Sequence, residues 1–273
     1  MSSDSPRSHQ PRKRFGQHFL HDQVVIARIV AAIAPRPGDR LVEIGPGLGA
    51  MTCPLLEAAG RLDVVELDRD VIPRLIARCG SRGELQVHQA DALRFDFRAL
   101  RGGDERPPLR VVGNLPYNIS TPLLFHLFNA LPAISDMVFM LQKEVVDRLA
   151  AAPGSADYGR LSVMAQYHSA VEALFDVGPE AFDPPPRVDS AIVALRPYAT
   201  PPVEAGSLAT LERVVSQAFS QRRKTLRNVL RPLIDGETLD ALGIDPQRRP
   251  ETLALDEFAR ISRHVHAQPG EPA

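Results

Sequence analysis

The 273-residue sequence has only two cysteines, Cys53 and Cys79, and their spacing fits neither a metal site nor a disulfide framework. We interpret both as small core residues in a reducing cytoplasm, and we expect no metal ion. No apolar run approaches the roughly 18 residues that a membrane span requires. No hydrophobic stretch follows the basic N-terminus, which argues against secretion. The sequence therefore predicts a soluble, cytoplasmic monomer without a membrane partner.

A strong excess of one charge is also lacking, because 32 basic and 33 acidic residues give a formal net charge of −1. The charges are nevertheless segregated: six cations and no acid lie between Arg213 and Arg231, and residues 1–14 are also basic. Such clusters are typical of surfaces that contact phosphate backbones. A solvated helix face explains the second cluster equally well. We interpret residues 1–14 as a disordered basic arm, with a transit peptide as the alternative.

Length and composition, with 44% hydrophobic and 24% charged residues, predict one sizeable domain and a smaller one. The clearest linker is the proline- and glycine-containing stretch 200–207. Beyond it, apolar residues recur at helical spacing. We therefore predict a nucleotide-binding domain over residues 1–200 and a small all-helical domain over 207–273, whose basic face suits docking on a large RNA.

The nucleotide-binding pattern begins with a short apolar strand at residues 40–44, followed by the turn Gly45-Pro46-Gly47-Leu48-Gly49 and a helix. The next strand ends at Glu66, 21 residues after Gly45, where a carboxylate can bind both ribose hydroxyls. A third strand leads to Asp91, which could accept a hydrogen bond from an adenine amino group. Separately, each acid could be a helix cap or a surface group. Because parallel strands end at one edge of a sheet, we expect these residues to line one crevice.

The segment Asn114-Leu115-Pro116-Tyr117 follows a fourth apolar strand and predicts the reactive end of that crevice. The Asn114 amide oxygen and the backbone carbonyl before Pro116 can accept both N–H bonds of an adenine amino group. Tyr117 can stack on the base. An ordinary strand-ending turn is the alternative for the tetrapeptide taken alone.

A proline-rich loop, Asp183-Pro184-Pro185-Pro186, follows Phe182 and precedes the last strand. Such a loop is stiff, so it could present Phe182 as a second stacking surface for an extruded base. A phenylalanine packed beneath the loop is an equally good interpretation.

In combination, these motifs resemble the KsgA-type ribosomal RNA adenine dimethyltransferases over nearly the whole chain. The motifs are Gln17-His18-Phe19-Leu20, residues 43–49, Glu66, Asp91, residues 114–117, residues 182–191 and residues 221–227. The resemblance implies an α/β fold with a Rossmann-like class I methyltransferase sheet and a small C-terminal helical domain. It also implies S-adenosylmethionine as methyl donor and two adjacent adenosines near the 3′ end of 16S rRNA in the small ribosomal subunit as acceptors. Each adenosine would be taken to its N6,N6-dimethyl form.

Three sets of residues follow: the donor and base sets by position from the resemblance, and the RNA set from the charge clusters. The donor site would comprise His18, Leu20, Gly45, Gly47, Glu66, Asp91 and Asn114. The acceptor base would meet Asn114, Leu115, Pro116, Tyr117 and Phe182, the last two as a sandwich. RNA would contact Lys13, Arg14, Arg222, Arg223, Lys224 and Arg227. Family members often carry asparagine at the position of His18, which is a departure in this chain.

Three other functions are compatible with parts of the pattern. A macrolide-resistance methylase acting on large-subunit RNA shares the glycine loop and the 114–117 segment. A ribosome assembly factor could use the same docking surface without chemistry. An NAD-dependent oxidoreductase fits the glycine loop, but residues 114–117 and the absence of a hydride-site His or Lys argue against it.

Overall fold

The computed structural model describes residues 18–221 and 223–268. Lys13, Arg14 and Arg222 lie outside the described residues. The described residues form nine strands: β1 (Phe19–Leu20), β2 (Leu41–Ile44), β3 (Arg61–Glu66), β4 (Glu84–Gln89), β5 (Leu109–Asn114), β6 (Ile134–Gln142), β7 (Ser169–Val177), β8 (Phe182–Asp183) and β9 (Ser190–Pro197).

The helices alternate with the strands up to residue 150, and after residue 207 they follow one another without strands. They are α1 (Gln23–Ile33), α2 (Thr52–Ala59), α3 (Ile72–Cys79), α4 (Phe97–Arg101), α5 (Ser120–Phe128), α6 (Lys143–Ala150), α7 (Arg160–His168), α8 (Leu208–Ala218), α9 (Leu226–Val229), α10 (Gly236–Ala241) and α11 (Leu255–Ala267). Within the described part of the chain, none of these helices is both long and apolar enough to cross a bilayer.

Seven strands form one sheet in the order β4-β3-β2-β5-β6-β9-β7. The pairs β3–β4, β2–β3, β2–β5 and β5–β6 are parallel. The chain therefore adds β3 and β4 on one side of β2 and then returns to place β5 on the other. This reversal creates a crevice between the carboxyl ends of β2 and β5, where open α/β sheets bind their ligands. The predicted α/β, Rossmann-like sheet is confirmed.

Local sequence accounts for the elements that surround this crevice. Asp22 caps α1 by accepting hydrogen bonds from the Val24 and Val25 N–H groups at 2.8 and 3.1 Å. Helices α1, α2 and α3 then bury apolar side chains in one cluster with residues of β2, β3 and β5. Gly113 in β5 is required by close packing, because a Cβ there would lie 2.5 Å from the Ile44 carbonyl oxygen.

The two cysteines correct our prediction, because Cys53 in α2 and Cys79 in α3 form a disulfide. Both side chains are buried, and their Cα atoms lie 4.9 Å apart although 26 residues separate them in sequence. The spacing along the chain gave no sign of this pairing. It arises because α2 and α3 follow consecutive parallel strands and contact each other.

The chain divides into two compact units. The first comprises residues up to Lys143 together with Leu174–Ala194, and the second comprises Glu144–Ala173 and the residues from Leu195 onward. The expected boundary at residue 200 does not coincide with this division. The reason is that α7 packs against α8 and α11, so a segment from the middle of the chain joins the C-terminal helices.

The second unit has its own apolar core, and its described residues from 207 onward form helices and turns, as predicted. Phe219 lies between Tyr158 and Phe258, with ring centroids 6.3 and 5.8 Å away. The pair Arg248–Glu257 is largely shielded from solvent, and it holds the start of α11 with a closest N–O distance of 2.5 Å.

Candidate functional site

A cavity of about 780 Å³ lies in the first unit, at the carboxyl ends of β2 to β5. Ten residues predicted for the donor and the acceptor base line it: His18, Leu20, Gly45, Gly47, Glu66, Asp91, Asn114, Leu115, Pro116 and Tyr117. The structure thus brings together strand-end residues that lie almost 100 positions apart in sequence. Of the predicted donor and base residues, Phe182 is not part of this wall.

The glycine turn forms the floor between β2 and the following helix. Gly45 and Gly47 have φ angles of +66° and +53°, in the left-handed region that favours glycine. The Gly45 N–H donates to the Val65 carbonyl at 3.0 Å, which ties the turn to β3. A Cβ at Gly45 would lie 3.8 Å from the Asn114 carbonyl oxygen, so the two predicted halves of the site meet here.

Glu66 ends β3 and is almost completely buried beside the turn. Burial raises the pKa of its carboxyl, while hydrogen bonds from the Asp68, Gly47 and Leu67 backbone N–H groups oppose that change and the nearby Asp68 carboxylate adds to it. The Asp68 N–H donates to Oε1 at 2.7 Å. These backbone donors fix the carboxylate in the cavity wall, where it can accept hydrogen bonds from a vicinal diol.

Asp91 follows β4 and is half-buried at the far end of the cavity. Its Oδ1 accepts a hydrogen bond from the Leu93 N–H at 3.0 Å, which orients the carboxylate. An oriented acceptor in this position suits the amino group of a purine.

Asn114 ends β5, and its side-chain nitrogen donates a long hydrogen bond, 3.5 Å, to the His18 carbonyl. This contact leaves the amide oxygen as the acceptor for a ligand. The Pro116 carbonyl accepts from the Ile119 N–H at 3.1 Å. Within the described residues the Leu115 carbonyl, which precedes Pro116, accepts no hydrogen bond. Leu115 as a whole residue is 1% exposed, and it forms part of the cavity wall.

Tyr117 lies beyond Pro116 with its ring in the cavity wall. Its hydroxyl is 2.7 Å from the Ser190 Oγ, which holds the ring in place. Burial raises the pKa of the Tyr117 hydroxyl, and the weaker effect of Ser190 opposes it. The phenol therefore stays neutral at physiological pH. Ser190 was not among the predicted site residues, because a serine at the start of a strand carries no signal in sequence.

Phe182 is only 2% exposed and packs in the apolar core of the first unit. In the short antiparallel pair of β1 and β8 it lies opposite Leu20, which is also buried. In this structure Phe182 packs in the core beside the cavity, and its role as a second stacking surface opposite Tyr117 stays a prediction. Successive strand residues point to opposite sides, and the next residue, Asp183, is exposed and lines the cavity instead.

Glu43 is a cavity residue that sequence reasoning did not select. It lies in β2, is 1% exposed, and accepts a hydrogen bond from the Thr52 hydroxyl at 2.6 Å. Burial raises its pKa from 4.5 to about 7, the Thr52 hydrogen bond lowers it, and the Glu66 carboxylate raises it further. An acid two residues before the glycine turn was the available signal.

The described members of the predicted RNA-binding set lie in the second unit. Arg223, Lys224 and Arg227 have exposed side chains, and none is ion-paired with an acid of residues 18–221 or 223–268. They flank the start of the short helix α9. Their role in RNA binding stays a prediction.

Comparisons with known proteins agree with this geometry. The family model of the ribosomal RNA adenine dimethylases matches residues 8–266. The ribosomal RNA small subunit methyltransferase A of Pseudomonas aeruginosa is 58% identical over 262 residues, which are 96% of this chain and 97% of that protein. The protein of the same description from Marinomonas sp. is 56% identical over 270 residues, 99% of this chain and 100% of that protein.

Solved structures of RNA methyltransferases are also similar to this chain. A dimethyladenosine transferase from Plasmodium falciparum superimposes with a TM-score of 0.75 at 26% identity, covering 89% of this chain and 96% of that one. The 23S rRNA methyltransferase ErmE superimposes with a TM-score of 0.68 at 26% identity, covering 90% and 99%. Because the family model and the relatives span nearly its whole length, the chain belongs to the ribosomal RNA adenine dimethylase family.

Proposed function

We propose that this methyltransferase dimethylates N6 of two adjacent adenosines near the 3′ end of 16S rRNA in the small ribosomal subunit, with S-adenosylmethionine as donor. One observation carries the proposal: Asn114 and Leu115 line the same cavity as Gly45, Glu66 and Asp91. An acceptor for an amine and a nucleoside site thus share one cleft. The relatives named small subunit methyltransferase A support the choice of RNA.

The residues of the cavity fit the donor. Bound S-adenosylmethionine supplies a methyl group on a positively charged sulfur. Glu66 accepts the ribose hydroxyls, Asp91 accepts the adenine amino group, and the glycine turn lets the backbone approach closely. His18 and Leu20 also line the cavity.

The acceptor amine is poorly nucleophilic because its lone pair is shared with the purine ring. The Asn114 amide oxygen and the Leu115 carbonyl accept its two N–H bonds and draw the nitrogen toward tetrahedral geometry. Pro116 fixes the backbone, which keeps the Leu115 carbonyl aimed at the cavity. Catalysis then consists mainly of positioning for in-line displacement at the methyl group.

No strong base is needed for this reaction, because the nitrogen becomes acidic once it is alkylated. The neutral Tyr117 phenol is therefore a stacking surface and not the base. Water removes the proton after transfer.

The test is methylation of small subunits that lack the modification, followed by mass spectrometry of their RNA. Asn114→Ala should lower kcat by roughly 10²- to 10³-fold, as for loss of one preorganised hydrogen bond in other enzymes. The donor dissociation constant should change much less. Asn129→Ala, an exposed asparagine after α5, is the matched control. Undiminished turnover in Asn114→Ala would reject the assignment.

The likeness to ErmE makes large-subunit RNA the second candidate acceptor. Naked 23S RNA should be a far poorer substrate than immature small subunits, and the opposite preference would replace the proposal. A function in subunit assembly is compatible with catalysis. It predicts that Asn114→Ala still cosediments with small subunits.

A further inference from the structure

We propose that Arg78 is a positioning residue for the methyl donor, because it holds the glycine turn in the form that presents Glu66 to the donor ribose. This inference rests on the proposed function, which places the ribose at Glu66. It adds to the donor site a residue of α3, an element that contains none of the predicted site residues.

The turn that Arg78 contacts is closed by one peptide unit. The Gly49 N–H donates to the Pro46 carbonyl at 2.9 Å, so residues 46–49 form a β-turn. The Leu48 carbonyl belongs to the same peptide unit as the Gly49 N–H, and it accepts a hydrogen bond from the Arg78 Nη1 at 2.9 Å. Both ends of that peptide unit are therefore fixed, one by the turn itself and the other by α3.

The middle of this turn faces Glu66. Gly47 has a φ angle of +53°, as the first central residue of a primed turn requires, and its N–H donates to the Glu66 carboxylate. A rotation of the peptide unit after Leu48 changes the dihedral angles of the turn, and with them the direction of the Gly47 N–H. Arg78 therefore influences the Glu66 carboxylate through the backbone.

The end of α3 is packed against the turn. A Cβ at Gly49 would lie 2.6 Å from the Cys79 Sγ and 3.0 Å from the Leu75 Cδ1, so there is no free space between the turn and the helix. The disulfide to Cys53 also ties this end of α3 to α2, the helix that follows the turn along the chain. The backbone from which the Arg78 side chain extends is therefore held in place.

Arg78 lines the cavity with an exposed side chain, and its charge separates two roles. The donor carries a net positive charge, so removing a cation from the cavity wall should by Coulomb repulsion alone improve donor binding. Loss of the hydrogen bond to Leu48 should weaken it. An ion pair between Arg78 and the carboxylate of the donor would also weaken binding when removed, and a ligand without the amino acid part separates that case.

The experiment measures donor binding by calorimetry and turnover on small subunits lacking the modification. Arg78→Met keeps the apolar stem but loses the N–H donors, and it should raise the donor dissociation constant by roughly 5- to 10-fold, the equivalent of one hydrogen bond. Arg78→Lys keeps a donor and should stay within about threefold of wild type. At saturating donor, kcat should remain within about twofold in both variants. Both should fold, because the side chain is exposed.

Arg82→Met is the matched control. Arg82 is an exposed arginine shortly after α3 that pairs with Glu57 and is not part of the cavity wall. Its replacement removes the same charge and should leave the donor dissociation constant unchanged. The second ligand is 5′-methylthioadenosine, which has the nucleoside of the donor but no amino acid part. Arg78→Met should weaken this ligand by the same factor as the donor, because the turn acts on the ribose.

Three results would overturn the inference. Unchanged or tighter donor binding in Arg78→Met would show that the hydrogen bond to Leu48 does not position the donor. An Arg78→Lys variant as impaired as Arg78→Met would show that a replacement donor cannot restore the turn. Unaltered binding of 5′-methylthioadenosine would assign Arg78 to the amino acid part of the donor. If the wild-type protein itself binds no donor or fails to methylate small subunits, the proposed function is wrong, and that outcome is distinct from these three.

Discussion

At the scale of single residues, position on a strand determined what the sequence could reveal. Glu66, Asp91 and Asn114 were predicted because each ends or closely follows a strand, and parallel strands bring their ends together. Glu43 was missed because it lies within a strand and its importance comes from burial, which depends on residues distant in sequence. A pKa shift that is caused by burial cannot be recognised from the neighbouring residues in the sequence.

The buried Glu43 predicts a pH-dependent stability. Its pKa in the folded protein, about 7, exceeds the ordinary 4.5. The folded state therefore holds this proton more tightly than the unfolded state, and stability is lost as pH rises from about 4.5 to 7. Glu43→Gln removes the titration and keeps an acceptor for Thr52. Above pH 7 the variant should be more stable by on the order of 3 kcal/mol, at about 1.4 kcal/mol per pH unit.

Urea unfolding of the ligand-free protein between pH 4.5 and 8.5 measures this effect. The difference between variant and wild type should grow through that window and level off above pH 7. Glu105→Gln, at an exposed acid of the same unit, should leave the pH dependence unchanged. A constant difference across the whole range would show that Glu43 titrates normally.

Glu66 predicts a selective loss of donor binding. A hydrogen bond to a charged group contributes about 1.5–3 kcal/mol, so Glu66→Gln should raise the donor dissociation constant by roughly 10-fold or more. Turnover at saturating donor should fall far less, because the proposed function places Glu66 at the donor ribose and Asn114 at the reacting amine. Calorimetric titration of the Glu66→Gln variant with donor measures the dissociation constant. An unaltered value would exclude Glu66 as the ribose ligand.

At the scale of elements, the sequence predicted which segments meet but not which side chains turn toward the cavity. The loop after Phe182 was expected to present that ring. The pairing of β8 with β1 instead buries Phe182 opposite Leu20 and leaves Asp183 at the cavity. Alternation along a strand decides this outcome, and a shift of one residue would reverse it. The register depends on β1, more than 160 residues earlier, and no local pattern fixes it.

The link between α2 and α3 predicts sensitivity to reductant. The disulfide closes a loop of 26 residues, for which the loop-entropy relation gives about 3.5 kcal/mol of stabilisation. Reduction should therefore lower the free energy of unfolding by roughly 3 kcal/mol. Urea unfolding with and without a reducing agent measures the change. The double variant Cys53→Ala with Cys79→Ala should resemble the reduced protein and should not respond to reductant. A wild-type midpoint unaffected by reductant would contradict the prediction.

At the scale of the whole molecule, the two units differ in the ligand to which their residues point: a small molecule in the first unit and RNA in the second. The cavity and its ligand-type residues belong entirely to the first unit, and the exposed Arg223, Lys224 and Arg227 belong to the second. From composition and motifs, the sequence predicted a nucleotide-binding domain and a basic helical domain that docks on RNA. It could not place the division of the chain, because α7 joins the C-terminal helices through packing between residues far apart in sequence.

The charge cluster predicts how binding responds to salt. Each phosphate contact releases counterions, and the slope of log affinity against log salt changes by about 0.7–0.9 per contact. Replacing Arg223, Lys224 and Arg227 with alanine should therefore weaken small-subunit binding and reduce the slope by about 2–3. The matched control replaces Arg61, Arg82 and Arg196, which are ion-paired with Glu84, Glu57 and Glu172. It removes the same formal charge but should leave the slope nearly unchanged. Filter binding from 50 to 300 mM salt distinguishes the two sets, and equal slopes would reject the cluster as the RNA contact.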